Sequence, residues 1–380
     1  MPFLDCSPWP WQLFRDLMSS PRCLQHVYQC LCTTLSLLLN GFLVFLIWKK
    51  SPKKLGDYKF LMLYTVAFES VYTLMDLVTE PTAYSHGYAF VVFRRYNDTW
   101  ATSTQSQILT LSWCGLFGSS MAVFGVHFVY RFAAVHHSHG IPSKIQLIGR
   151  NVFYLSAVPV VYGVWWMVVC VVNCRFSLEE SPETYEYMRT LTKSLYSLNI
   201  EDISYIAAVF YIADPLSGSL SPNPDTWIAM LQFSVMVGSS MFCVFYLGAK
   251  CYWEISTQLS HTSAVSQLTS ALQQQLFFAL VGQTLIPLIF MYIPICIFFF
   301  CPLLIIDIGV ISTFLTHTVT LYPVLDPLPN MLIIKSYRTA ILEMWKKFKR
   351  TAHLTSHTTA LETVTSVHST MRHFNDSLMI

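Results

Sequence analysis

Residues 274–302 read QQLFFALVGQTLIPLIFMYIPICIFFFCP, and residues 308–338 read IGVISTFLTHTVTLYPVLDPLPNMLIIKSYR. From Gln274 onward the only charged side chain before Asp326 is Asp307. A helix needs about 20 residues to cross a hydrocarbon core of roughly 30 Å, and each run supplies that length. A helix that is apolar on every face has no side to turn to water, so the two runs read as two membrane crossings. Pro287, Pro294 and Pro323 lie inside them. Within a bundle, neighbouring helices take up the backbone groups a proline frees, so these positions predict kinks rather than helix ends.

The rest of the chain agrees. Its 380 residues are 54% hydrophobic and 12% charged, with a mean hydropathy of +0.48, which is the composition of a membrane protein. A net charge of +2, with no basic stretch interleaved with aromatics, excludes a nucleic-acid partner. The eleven cysteines show no CxxC pair and no zinc-like spacing with histidine. The first residues, MPFLDCSPWPWQLFRDLM, lack the basic leader and small-residue site of a cleaved signal, so the first crossing is expected to act as its own anchor.

Seven charge-poor runs stand out, at about 23–48, 60–80, 103–130, 152–172, 226–249, 273–300 and 303–334. Lysine and arginine concentrate after the first, third and seventh runs: Lys49, Lys50, Lys53, Lys54 and Lys59; Arg131, Lys144 and Arg150; Lys335, Arg338, Lys346, Lys347, Lys349 and Arg350. The positive-inside rule therefore places the N-terminus outside and the C-terminus in the cytoplasm. Arg94 and Arg95, in an outer loop, run against this pattern.

The long outer segment between spans four and five carries an excess of acid, and its VFYIADPLSG and SPNPDTW stretches read as extended or turn structure that covers the outer mouth of the bundle. Asn97-Asp98-Thr99 is a glycosylation acceptor pattern, Asn97 being the acceptor. After the last span, Tyr337, Ile341, Trp345 and Phe348 share a helical stripe edged by basic residues, as in an amphipathic helix lying on membrane lipid. The expected organisation is an extracellular N-terminus (1–22), a seven-transmembrane domain (23–334), an amphipathic juxtamembrane helix (335–350) and a disordered Ser/Thr-rich cytoplasmic tail (351–380). The fold class is an all-α membrane protein, a seven-transmembrane helix bundle.

The segments LQQQLFFALVGQTLIP, MYIP, LYPVLDPLP and IIKSYRTAI, with NGFLVFLIWKKSPKKLGDYKFLMLYTVAFESVYTLMDLVTEP from Asn40 and VHFVYRFAAV from Val126, resemble the nematode seven-transmembrane chemoreceptors of the Str class, the serpentine receptors. The resemblance is collinear from about Asn40 to Ile341. It implies a G-protein-coupled chemosensory receptor of olfactory type in the plasma membrane of sensory-neuron cilia, with a small volatile or soluble ligand and a heterotrimeric G protein as partners and no cofactor.

Charges inside spans are expensive in lipid, so they face the bundle interior. Glu69 and Asp76 lie on one face of span two with Tyr72 between them, and Glu80 follows one turn out. The stripe is either a cation-, ligand- or proton-sensing site or a hydrogen-bonded structural network. By analogy with rhodopsin-like receptors, Asn40 of span one is the expected partner of Glu69. At the inner end of span three, Tyr130-Arg131 resembles the Asp/Glu-Arg-Tyr element of those receptors, with Tyr130 in place of the acid. The resemblance gives Arg131 a role in G-protein coupling; lipid phosphate is the other partner such an arginine finds at a membrane edge. Asp326-Pro327 is similar to their Asn-Pro element, which implies helix rearrangement, with Pro287 as a further kink.

No catalytic constellation is present: there is no GxSxG elbow and no phosphate-cradling glycine loop, and His136, His137 and His139 lack a matching cysteine or carboxylate for a metal. Cys114 lies 17 residues before Arg131, roughly 25 Å along a helix and therefore within the bilayer. Cys174 is left to pair with Cys6 or Cys23, or to stay free. A small apolar ligand is expected between the outer halves of spans three, five, six and seven, at Trp113, Cys114, Phe117, Met121, Phe233, Phe290, Tyr292, Thr313 and His317. Two other classes compete with a receptor. A ligand-gated cation channel of the insect odorant-receptor kind needs the inverse topology. A transporter, with Glu69 and Asp76 as coupling sites, favours an inverted repeat, which the sequence does not show.

Overall fold

A computed structural model describes residues 21–52, 55, 58–97, 99–136, 152–176, 178, 182–196, 199–213, 219–260 and 264–351. The expectations for the N-terminal segment, for His137 and His139 and for the tail beyond Thr351 fall outside these residues, as do the side chains of His136, Arg131 and Thr313.

Span one is α1 (Pro21–Lys50), span two α2 (Tyr58–Thr79), span three α3 (Ser103–His136) and span four α4 (Val152–Phe176). An outer-loop helix, α5 (Pro182–Tyr196), precedes span five, α6 (Pro224–Ser260). Span six is continuous through α7 (Ala264–Pro287), a π-turn at Leu288–Tyr292 and α8 (Ile293–Leu303). Span seven is α9 (Val310–Leu325) and α10 (Pro327–Ile333), which meet at Asp326, itself in helical conformation with its amide bonded to the Tyr322 carbonyl (3.0 Å), and a final helix, α11, covers 335–351. Five of these helices are individually long and apolar enough to cross a bilayer, and α4 is apolar over Val160–Arg175. Leu38, Trp48, Val161, Phe242, Trp253 and Phe314 are among the large apolar side chains they expose, as a surface facing lipid requires.

Local chemistry sets the helix ends. Span three starts in a reciprocal capping box: the Gln105 amide donates to Thr102 Oγ1 (3.3 Å), and the Thr102 amide donates to Gln105 Oε1 (2.9 Å). Pro224 opens α6, where an amide is not required. Pro287 ends the regular ladder of α7, and the next turn widens to π geometry, the form a bundle helix takes at a local kink.

The bundle is all-helical, and the loops after spans two and four add two small sheets. Strands β1 (Thr82–His86), β2 (Ala89–Arg95) and β3 (Ile203–Val209) form an antiparallel sheet in the order β1-β2-β3. Strands β4 (Tyr211–Ala213) and β5 (Leu220–Pro222) pair separately, in the stretches expected to be extended. Gly87, at φ 52°, takes the left-handed position in the β1–β2 turn. The strands alternate with period two. Phe90, Val92, Ile206 and Ala208 pack into the main core with the spans. Ala89, Val91, Phe93, Tyr205, Ala207 and Val209 pack on the opposite face with Met188 and Leu191 of α5. The sheet is thus a lid on the bundle with its own helix above it.

Arg94 is part of this lid. Its side chain is buried, and Nη1 donates to Ser106 Oγ (2.6 Å) while Nη2 reaches the Val78 carbonyl (3.4 Å). Its charge is spent on tying β2 to α2 and α3, which accounts for an arginine in a loop that the positive-inside rule leaves poor in them.

Along α11, Tyr337 is buried and donates to or accepts from Ser51 Oγ (2.7 Å), whereas Trp345 and Phe348 are exposed, with Lys349 over the Trp345 ring at 5.4 Å. Apolar rings on one side and cations beside them suit the lipid–water boundary.

Candidate functional site

A cavity of about 110 Å³ lies at the end of the bundle that the sheet covers. Trp113, Cys114, Phe117, Gly118 and Met121 line it from α3, where the spacing of four from 113 to 117 to 121 keeps three large side chains on one face. Trp166, Cys170 and Cys174 come from α4, Met230, Phe233 and Met236 from α6, Ile295, Phe298 and Phe299 from α8, and Thr316 and Val319 from α9. Ala83, Phe90, Val92, Ile206 and Ala208 reach it from the sheet. No ionisable carboxylate, lysine or arginine is among the lining residues, so the cavity suits an uncharged, mostly apolar molecule.

Five of the ligand candidates named from sequence, Trp113, Cys114, Phe117, Met121 and Phe233, meet at this cavity. Others do not line it. The Tyr292 hydroxyl is buried against α3, donating to the Met121 carbonyl (2.9 Å). His317 faces span one, its ring 5.1 Å from that of Tyr28 and its carbonyl accepting from the Tyr28 hydroxyl (2.9 Å). Phe290 packs against the core, and its carbonyl accepts from Thr318 Oγ1 (3.1 Å). Thr313 lies in α9, its side chain outside the description. The contributions of span four and of the sheet to the cavity are not among the sequence-based expectations. Trp165 and Trp166 are adjacent and chemically alike; helical phase alone leaves the first half exposed and the second 2% exposed.

Cys174 is a free thiol, as is Cys23. Cys174 is buried beside Cys170 and Cys114, and the Cys170 thiol donates to the Cys114 carbonyl (3.2 Å). A pairing of Cys174 with Cys23 is therefore not formed, and Cys6 lies outside the described residues.

Toward the centre of the bundle the character changes. Glu69, Tyr72 and Asp76 are all buried on the inner face of α2. Asp76 accepts from Trp113 Nε1 (2.9 Å) and from Thr320 Oγ1 (3.0 Å), so a residue of the cavity wall and span seven hold the same carboxylate. Asp326, where α9 meets α10, accepts from Gln283 Nε2 of span six (2.9 Å). Its carboxyl also meets that of Glu69, which has Asn40 as a further neighbour. Asn40 also reaches Ser36 Oγ (3.3 Å) and the Pro323 carbonyl (3.5 Å). Glu80, beyond the end of α2, instead pairs with His26 at 2.5 Å.

Three spans converge on one atom between these regions. The Met121 carbonyl accepts both Tyr292 Oη of span six and Ser240 Oγ of span five (2.6 Å), and the Met121 side chain lines the cavity. At the inner end of span three, Tyr130 stacks on Tyr58 (5.5 Å, 13°), and His127 meets Thr65 Oγ1 at 2.6 Å. The position that lacks an acid is therefore occupied by a ring stack to span two.

The profile of a family described as "Serpentine type 7TM GPCR chemoreceptor Str" matches residues 25–342. The Caenorhabditis elegans protein "G-protein coupled receptor str-217" is 32% identical over 309 residues, covering 81% of this chain and 86% of its own length. "Serpentine receptor class r-10" is 30% identical both in Caenorhabditis briggsae, over 81% of this chain and 86% of its own length, and in C. elegans, over 81% and 87%. With a match over most of its length, the chain belongs to the Str family of serpentine seven-transmembrane chemoreceptors, a receptor family of nematode multi-pass membrane proteins.

Proposed function

We propose that the chain is a chemosensory receptor that binds a small uncharged molecule in the cavity beneath the outer sheet and signals to a heterotrimeric G protein at its cytoplasmic face. The observation that carries this reading is the Met121 junction. Its side chain touches the cavity, and its carbonyl ties span three to spans five and six. A ligand that moves Met121 by a fraction of an ångström changes the hydrogen bonds of two other helices, one of them at the π-turn beside Pro287. Packed interfaces respond to such shifts by moving between discrete arrangements. The favoured arrangement opens the inner ends of spans three, five and six, including Arg131 and the residues after Cys251, to the G protein, and Asp326-Pro327 supplies the yielding point in span seven.

The topology that goes with this reading has the N-terminus and the sheet outside and α11 on the cytoplasmic leaflet, in the plasma membrane of sensory cilia. Two measurements test it together. In cultured cells, a tag after Ile380 is expected to be reached by antibody only after permeabilisation, and an N-terminal tag without it. In the same cells, responses to a panel of small volatile compounds, read as G-protein dissociation, are expected in the wild type. Arg131→Ala is expected to abolish them at unchanged surface level. The reverse tag pattern, or a ligand-evoked current that persists without G protein, would overturn the proposal in favour of a channel.

A further inference from the structure

Away from the cavity, a thiol, an imidazole and a carboxylate meet where spans one and two approach the sheet. Cys30 and His26 lie one turn apart on one face of α1, with Cys30 Sγ 3.6 Å from His26 Nε2. The other ring nitrogen, Nδ1, is 2.5 Å from Glu80 Oε1. A carboxylate only accepts, so Nδ1 carries the hydrogen and Nε2 is left to face the thiol. Glu80 reaches the ring from an uncommon backbone. It follows the last residue of α2 at φ 46°, with its amide bonded to the Asp76 carbonyl (2.9 Å). Glycine or asparagine ordinarily takes such a left-handed position at a helix end, because a Cβ is strained there. The turn aims the Glu80 carboxylate back at span one.

The group is open to solutes. The His26 side chain is 52% exposed, that of Glu80 31%, and Cys30 is half-buried. Cys30 lies about 30 Å along α1 from Lys50, the thickness of a hydrocarbon core, so the thiol stands at a membrane boundary that polar and apolar molecules both reach. A nucleophile within reach of a base, with the base oriented by a third group, is the arrangement that activates a thiol. We propose that Cys30 covalently captures small α,β-unsaturated carbonyl compounds, with His26 as the base and Glu80 as the residue that positions it. Cys30 Sγ bonds to the β-carbon, the C=C π bond breaks, and its electron pair moves onto the carbonyl as an enolate. His26 Nε2 takes the thiol proton and returns it to the α-carbon. The product is a thioether; nothing leaves, and no oxidant or reductant is consumed. One base that takes a proton and gives it back is what this addition asks of the protein, whereas acyl transfer also asks for donors to a tetrahedral oxyanion. None of the three residues lines the cavity, so capture is independent of what the cavity binds.

The test uses the full chain in lipid nanodiscs with methyl vinyl ketone as the probe and butan-2-one as the saturated control, and follows each cysteine by peptide mass spectrometry. Cys23, a free thiol two turns away on the same helix, is the internal reference. Cys30 is expected to be alkylated at least about tenfold faster than Cys23, and His26→Ala to bring it to within about twofold of that reference. Added imidazole is expected to restore part of the loss, which a merely structural role for His26 does not predict. Glu80→Gln keeps an oxygen for Nδ1 and is expected to hold the rate within about threefold, whereas Glu80→Ala loses about tenfold. An unchanged Cys23 rate and melting temperature report an intact fold in each variant, since an exposed ion pair adds little to stability. A Cys30 that reacts no faster than Cys23, a rate that survives His26→Ala, or a loss that imidazole does not restore overturns the capture site and leaves an exposed ion pair beside a thiol. Equal losses in Glu80→Gln and Glu80→Ala overturn the positioning role of Glu80.

Discussion

The outer cavity and the polar seam below it are built on opposite principles, although Trp113 belongs to both. The cavity wall is rings, thiols, thioethers and aliphatic groups, with surfaces that adapt to what they enclose. The seam of Asn40, Glu69, Asp326, Gln283, Asp76 and Thr320 is buried and polar, and it holds directional bonds, Gln283 to Asp326 and Thr320 to Asp76 among them. An adaptable wall suits discrimination among small molecules by size and shape. A seam of discrete bonds in a medium without water suits two alternative helix arrangements, because a half-broken network there is costly. In the function proposed above, recognition would belong to the cavity and switching to the seam, and the Met121 carbonyl and the Asp76–Trp113 bond would join them.

The comparison is broken most directly at Asp326. Asp326→Ala removes the acceptor of Gln283 and the partner of Glu69 together and leaves two buried polar groups unmet. The expected loss is about 3 kcal/mol or more, read as a large fall in melting temperature and in surface expression. Asp326→Asn keeps an acceptor for Gln283 and an amide donor for Glu69, so it is expected to retain most of the stability while altering basal signalling. Equal damage from both variants would show that the carboxyl itself, not the hydrogen-bonding geometry, is what the seam requires.

The next effect belongs to the lid. Arg94→Met preserves the length and apolar stem of the side chain and removes the bonds to Ser106 and the Val78 carbonyl. A cost of about 1–3 kcal/mol is expected. Hydrogen exchange should show it as faster exchange confined to β1–β3, with ligand affinity falling and basal coupling unchanged. If exchange rises equally in spans two and seven, the lid and the seam are one cooperative unit and the division drawn above is too sharp.

These regions also differ in how far the sequence disclosed them. The spans were legible because a run of about 20 apolar residues has few other meanings. The inward face of span two was legible because a charge in lipid has few other places to point, and Glu69 and Asp76 share a helical face. The lid was not. Its strands are short, β2 and β3 pair across two intervening spans, and a buried arginine in β2 reads in sequence as an ordinary loop charge. For the same reason only part of the cavity was foreseen. Depth along a helix brings Trp113, Phe117, Met121 and Phe233 to the cavity wall, but depth does not give rotation, and Tyr292 and His317 face α3 and α1 instead. Spacing alone also does not bring Cys170 and Cys174 to Cys114; the packing of α4 on α3 does.

A smaller effect on stability, with a larger one on recognition, is expected at Gly118. A methyl group there meets Cys170 Cβ at 3.5 Å and Sγ at 3.7 Å, which is ordinary contact, so the helices need not part. Gly118→Ala also relieves the entropic cost of glycine within a helix, a gain of up to about 1 kcal/mol. The methyl takes volume from a cavity of about 110 Å³. Melting temperature is therefore expected to hold or rise slightly while the largest ligands of the wild type lose potency and the smallest do not. Uniform loss across ligand sizes would mean that the wall is rigid and that fit, rather than adaptation, governs recognition.

The smallest expected effect falls outside both regions, at Asn97. Its side chain is exposed in the turn after β2, and the Thr99 hydroxyl of the acceptor pattern donates to the Tyr96 carbonyl (2.9 Å) and accepts from Arg94 Nη1 (3.4 Å). Thr99→Ala would therefore disturb the lid as well as the pattern, whereas Asn97→Gln removes the acceptor nitrogen and nothing the lid uses. If the sheet faces the secretory lumen during synthesis, the wild type should run as a glycosylated species that collapses to the Asn97→Gln mobility on glycosidase treatment, with melting temperature and ligand potency unchanged. A glycan-dependent change in potency would tie the outer turn to the cavity beneath it and extend the recognition region to the rim of the lid.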